Sequence, residues 1–138
     1  TKFMSDVLKL ELVEAHCLPV LLYAIDCLAL NQSQIKGFNS WWNSVYRKNF
    51  NYNKWESVKQ VICMFDRLDV KHMIHERRLL FVKRQLTSDN AAMRKLANIF
   101  TYGPELRDLQ LQCGTNISCS VSKIKSVVRM SFRSICAK

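Results

Sequence analysis

The stretch Gln32-Ser33-Gln34-Ile35-Lys36-Gly37-Phe38-Asn39-Ser40-Trp41-Trp42-Asn43-Ser44-Val45-Tyr46-Arg47-Lys48-Asn49-Phe50 decides the fold class. Its apolar residues recur at helical spacing. Ile35, Phe38, Trp42 and Val45 form one arc, and Trp41, Tyr46 and Phe50 widen it. Lys36, Ser40, Asn43 and Arg47 are expected to project from the opposite side, with Lys48 beside the edge marked by Trp41. Asn31 or Ser33 can cap the start, because a short side-chain oxygen accepts an N–H that the first turn leaves unpaired. Arg47 and Lys48 lie in the last turns, where the helix dipole favours cations. Asn51–Asn53 reads as a break.

The same periodicity extends to both sides. Upstream, Val7, Leu8, Leu12 and Ala15 form a stripe in a helical region over Phe3–Leu30. Pro19 is expected to kink or split that region, because proline lacks the N–H and crowds the preceding turn. The nearly apolar Pro19–Leu30 segment, the second part of that helical region, is expected to be buried in this domain or against a neighbour. Downstream, Glu56–Phe65 reads as a short helix with Val58, Val61, Ile62 and Phe65 inward. Leu68–Leu86 reads as a longer basic helix whose Val70, Ile74 and Phe81 stripe also carries Arg77 and Arg84. Ser88 or Asp89 is expected to cap a helix reaching Phe100. Gly103-Pro104 is a break, and Cys113–Ser118 a loop. Ser120–Cys136 closes the chain as an amphipathic helix, with Ile124, Val128 and Ile135 on one side and Lys125, Arg129 and Arg133 in a row on the other. With only 3 Gly and 2 Pro there is too little turn chemistry for a β-rich fold. The expectation is an all-α protein: a compact helical bundle of five to six helices with a basic C-terminal helix.

Hydrophobic residues make up 49% of the 138-residue chain, enough for a core and too many for global disorder. No apolar run approaches the roughly 18 residues of a membrane span, so no membrane partner is expected. No secretory signal is read, which leads to the expectation of an intracellular chain with six reduced thiols. The formal net charge is +10, unevenly distributed. Residues 27–55 hold four bases and no acid, residues 67–95 eight bases and three acids, and residues 109–138 five bases and no acid. Three basic zones on a small domain point to a polyanionic partner.

The chemistry-bearing residues narrow this further. Phe38, Trp41, Trp42, Tyr46, Phe50, Tyr52 and Trp55 lie within 18 residues that contain three bases and no acid. Bases neutralise phosphates and rings stack on nucleobases, so interleaving the two suits nucleic acid. Mid-stripe Phe38 and Trp42 are better read as core, whereas Trp41, Tyr52 and Trp55, at an edge or a break, are divided evenly between core and ligand. Arg77 and Arg84 are read as structural residues in preference to phosphate contacts. His72 and His75 stand i, i+3, and Cys113 and Cys119 are too widely spaced for a zinc knuckle. No complete four-ligand set occurs, and no metal or other cofactor is expected. There is no Gly-x-Ser-x-Gly, no Gly-rich phosphate loop and no Asp-Asp pair, so catalysis by this chain alone is not expected.

Taken in order, several motifs resemble one family. Leu18-Pro19-Val20-Leu21-Leu22-Tyr23-Ala24 is similar to the Pro-x-Leu-Leu-Tyr-Gly stretch beyond the palm of reverse transcriptases from non-LTR (LINE-type) retrotransposons. Tyr46-Arg47-Lys48-Asn49-Phe50 resembles that family's Asn-x-x-x-Arg-Lys-Ile-Phe ending, Trp55-Glu56-Ser57-Val58 follows, and Arg77–Leu86 resembles its Arg-Arg-Leu-x-Phe-x-x-Lys-Leu helix. Two positions depart: Ala24 stands where the family usually has Gly, and Asn49 where Ile is common. The resemblance covers roughly residues 5–100 and implies a thumb-like helical domain over 1–100, followed by a basic extension over 101–138. It implies an RNA–DNA hybrid or other nucleic acid as partner, a parent palm domain docking on Pro19–Leu30, and a nuclear site of action. The polymerase carboxylates would belong to that palm, in a parent reverse transcriptase. The residues expected to touch nucleic acid are Lys36, Trp41, Asn43, Arg47 and Lys48, with Lys125, Arg129 and Arg133 as a second footprint. The alternative is a helical protein-interaction module, a domesticated or decayed retroelement fragment.

Overall fold

A computed structural model describes residues 2–26, 28–101, 107, 108, 110, 111, 114, 116 and 118–137. Among these there are six helices and no strand: α1 (Lys2–Leu21), α2 (Gln32–Phe50), α3 (Lys59–Met64), α4 (Val70–Leu86), α5 (Ala91–Thr101) and α6 (Val121–Cys136). The fold is all-α, as the periodicity predicts. The chain forms two compact units, Thr1–Ile74 and His75–Cys136, so the boundary falls inside α4. The expected break at Gly103-Pro104 lies outside the described residues, as do Cys113, Thr115 and Ile117 of the expected loop.

In the first unit, α2 is the best-specified element. Asn31 accepts a hydrogen bond from the Gln34 backbone N–H (2.8 Å), and the Gln34 side chain accepts one from the Asn31 N–H (2.9 Å), a reciprocal capping box. At the other end Asn51 takes a left-handed φ of 60°, and the Tyr52 N–H returns to the Arg47 carbonyl (2.9 Å). Between the caps, Ile35, Trp42 and Tyr46 are buried, and a ladder of rings runs inward. Trp42 meets Tyr46 edge-on at 5.4 Å, Tyr46 lies 6.1 Å from Phe50, and Phe50 stacks on Phe65, just beyond α3, at 5.2 Å. The ladder joins the end of α2 to the end of α3, whose Ile62 and preceding Val58 are also buried.

The packing face of α1 differs from the expected stripe. Leu10 is buried and Asp6, Val7, Val13, Glu14, Leu18 and Leu21 are half-buried, while Leu8, Leu12 and Ala15 are exposed. Two acids occupy the face that hydrophobicity alone assigns to apolar residues. The Asp6 carboxylate pairs with Lys9 at 3.1 Å, and Glu14 pairs with Arg67 at 3.0 Å. The Asp6 backbone carbonyl accepts a hydrogen bond from Asn49 Nδ2 of α2 (2.8 Å). Asn49 is therefore a tie between helices.

Pro19 does not open a second helix. It sits in the last turn of α1, which stops at Leu21, and residues 22–26 form a turn. Ala24 takes a φ of 54° there, the left-handed region that favours glycine. Beyond Leu21 the helix does not continue, and among the described residues of this segment Leu22 and Ile25 are buried while Val20, Tyr23 and Leu28 are exposed. A turn cannot direct a continuous apolar run to one side.

Asp69 caps α4 by accepting the His72 N–H (2.9 Å), and its carboxylate also meets the His72 ring at Nδ1. Both residues are buried. Asn39 of α2 accepts the Val70 N–H (3.2 Å), which anchors the start of α4 within the first unit. Along α4 the buried positions are Val70, His72, Ile74, His75, Leu79 and Val82. Arg77 and Arg84 are exposed. The two histidines and Leu79 turn the buried arc away from the stripe read through Phe81, which leaves the arginines outside it.

In the second unit Asn90, rather than Ser88 or Asp89, caps α5 by accepting from the Ala92 N–H (2.9 Å). Ser88 instead accepts the Asn90 N–H through its hydroxyl (3.2 Å). On α6 the buried stripe is Ile124, Val128 and Phe132. Phe132 completes the stripe at i+8, whereas Ile135, on the same side, stands one residue from the end of the helix and is exposed.

Candidate nucleic-acid interface

The candidate contacts fall into two groups, one in each unit. On α2, Lys36, Trp41 and Lys48 are the outward members, and all three are exposed. Trp41 leans on the buried ring of Trp42 with centroids 6.2 Å apart, which fixes its orientation and leaves its outer face to solvent. Asn43 and Arg47 are not on the solvent side. Both are half-buried, and Asn43 Oδ1 is buried without a hydrogen-bond partner among the described residues. Arg47 Nε donates to the Glu56 carbonyl (3.0 Å), so this arginine braces the loop after α2. The wheel misplaces them because Tyr46 and Phe50 draw the buried arc toward the C-terminal end of the helix.

On α6, Lys125, Arg129 and Arg133 are exposed along one face, as expected. With Ser122, Ser126 and Met130 they line a shallow depression of about 420 Å³. Glu76 of α4 lies within electrostatic reach of Lys125 and Arg129. Burial pushes its carboxyl above the ordinary value of 4.5, while Lys125, Arg129 and Arg77 pull it down. Two of the three cations in the row therefore also balance an acid inside the unit.

The loop after α2 holds a feature that the helical reading leaves undecided. Asn53 to Glu56 is a β-turn closed by the Glu56 N–H donating to the Asn53 carbonyl (3.1 Å). The Glu56 carboxylate turns back and accepts from the Asn53 N–H (2.6 Å) and from Asn53 Nδ2 (3.3 Å). Lys54 and Trp55 are the two corner residues. Both are exposed, and Trp55 is 83% exposed, against 0% for Trp42. The sequence divides Trp55 evenly between core and ligand because it lies at a break, and the turn leaves it exposed.

Among the described residues no group of three or more His, Cys, Asp or Glu side chains could hold a metal ion, and His72 Nδ1 is engaged by Asp69. Among the described residues no helix is long and apolar enough to cross a membrane. No family model matches the chain, and no curated protein or solved structure matches it significantly.

Proposed function

We propose that the chain binds nucleic acid without sequence specificity, as the thumb-like part of a LINE-type reverse transcriptase whose palm carries the catalytic carboxylates. The observation that carries this reading is the clustering of solvent-accessible cations: Lys36, Lys48 and Lys54 in a span that holds no acid, and Lys125, Arg129 and Arg133 on one face of α6. Such rows follow a phosphate backbone and release its counterions on binding. The positive φ at Ala24 adds support, because the resembling family has glycine at that position, where glycine is the least strained residue. An RNA–DNA hybrid is the substrate most in keeping with the resemblance, and the nucleus the matching site of action.

The test is fluorescence anisotropy with a labelled RNA–DNA hybrid across a salt series. The variants are Lys36→Ala/Lys48→Ala and Arg133→Ala. Arg47 is avoided because it braces the turn, and Lys125 and Arg129 because they face Glu76. Affinity falls steeply with salt in the parent, and the slope drops by about one for each phosphate contact removed. Salt-independent binding refutes the proposal.

A second reading is favoured by one observation. Met4, Leu8, Leu12, Val20 and Tyr23 are all more than half exposed, an apolar display that a protein partner would cover. Under the first reading the palm covers Val20 and Tyr23. Under the second, a helical interaction module uses this surface for association. A stable dimer of the nucleic-acid-free protein, dissociated by Leu8→Glu, would favour the second.

A further inference from the structure

An 83% exposed tryptophan at the corner of a turn is an unusual placement for the largest apolar side chain. The turn that carries it is braced. Glu56 closes it through its backbone, both Glu56 carboxylate oxygens return to Asn53, and Arg47 Nε holds the Glu56 carbonyl from the last turns of α2. The left-handed cap at Asn51 sets where the loop leaves the helix. None of these bonds needs the Trp55 ring. The backbone is fixed, so the ring is presented at little further cost in conformational entropy.

The charge around the tip identifies what it meets. Lys54 is the adjacent corner residue, Lys48 lies in the last turn of α2, and the one acid of the loop, Glu56, has its oxygens turned to Asn53. A broad π-face beside ammonium groups matches an unpaired nucleobase beside its phosphate. In a continuous duplex the base faces are already stacked on one another. We propose that Trp55 is a base-stacking residue for single-stranded nucleic acid, with Lys54 and Lys48 on the flanking phosphates. It would engage the strand where the duplex ends. This rests on the nucleic-acid reading above and adds a strand preference that the cation rows do not supply.

The experiment compares a labelled oligo(dT) with a blunt duplex of the same length, using the full chain and its Trp55→Ala and Trp55→Phe variants. The side chain is exposed, so both variants keep the parent's circular dichroism. Trp55→Ala weakens oligo(dT) binding by about 5- to 150-fold, the range for loss of one base–aromatic stack. Trp55→Phe recovers most of that loss, duplex affinity is unchanged, and the salt slope stays the same because no phosphate contact is removed. Equal oligo(dT) binding by parent and Trp55→Ala, with weaker binding by Lys36→Ala/Lys48→Ala, overturns the stacking role and leaves the nucleic-acid reading intact. Equal losses on both probes overturn it too, because the ring is then a general contact. A folded parent that binds neither probe overturns both readings, and one that instead uses Trp55 to bind phosphatidylserine vesicles reassigns the tip to a membrane surface.

Discussion

Ala24→Gly should stabilise this protein, although replacing alanine with glycine ordinarily does the reverse. Ala24 has a φ of 54° in the turn after α1, and its side chain is exposed, so removing the methyl group forfeits no packing. A Cβ in the left-handed region costs about 1–2 kcal/mol through its clash with the neighbouring carbonyl. Against this, glycine is the more flexible residue in the unfolded chain, which costs roughly 0.5–1 kcal/mol. The balance is a gain of about 0.5–1 kcal/mol, or a rise in Tm of a few degrees for a chain of this size. Ala15→Gly is the control. It makes the same atomic change at an exposed position inside α1, and it should destabilise by about 1 kcal/mol. Gly37→Ala completes the set: a Cβ there meets nothing within 4 Å inside α2, so the added methyl should stabilise by about 0.8–1 kcal/mol. Urea and thermal denaturation followed by far-UV circular dichroism would measure all three, with an unchanged m-value as the check on two-state behaviour. If Ala24→Gly destabilises as much as Ala15→Gly, residue 24 is not left-handed and the account of this turn is wrong.

Asn31→Ala removes the side-chain acceptor of the capping box on α2 and should lower stability by about 1 kcal/mol, with Asn31→Asp recovering most of the loss; no change on denaturation would mean the cap contributes nothing. Tyr46→Phe deletes a buried hydroxyl that has no hydrogen-bond partner among the described residues and keeps the ring against Trp42, so it should stabilise by about 1 kcal/mol; a loss of that size would reveal a bond to the hydroxyl. Glu76 is held above its ordinary 4.5, chiefly by burial, so the folded chain binds this proton more tightly than the unfolded one. Its contribution to stability is largest below 4.5 and declines as pH rises through the folded value. Glu76→Gln should flatten that part of the stability profile in urea titrations, and a profile parallel to the parent's would refute the assignment.

Local pattern alone specifies the all-α fold class and the position of α2. Helical spacing of Ile35, Trp42 and Tyr46, a capping asparagine before Gln32 and an asparagine break after Phe50 all specify α2 locally, because helix periodicity and capping are short-range properties. The cationic row of α6 was legible for the same reason: i, i+4, i+8 places Lys125, Arg129 and Arg133 on one face whatever packs behind them. Tertiary structure decided which polar residues go inside. Asp6, Glu14, His72 and His75 lie on packing faces that hydrophobicity assigns to Leu8, Leu12 and Phe81. Partners offset the loss of water: Lys9 pairs with Asp6, Arg67 with Glu14 and Asp69 with His72. Arg67 comes from a distant part of the chain, which no reading of α1 alone could supply. Tertiary structure also decided the roles of Arg47 and Trp55. Arg47 reads as a free cation from its place on the wheel, yet it reaches nine residues along the chain to the Glu56 carbonyl, and the turn it braces leaves Trp55 in solvent. Burial is a property of what the rest of the chain does around a residue, and no local pattern encodes it.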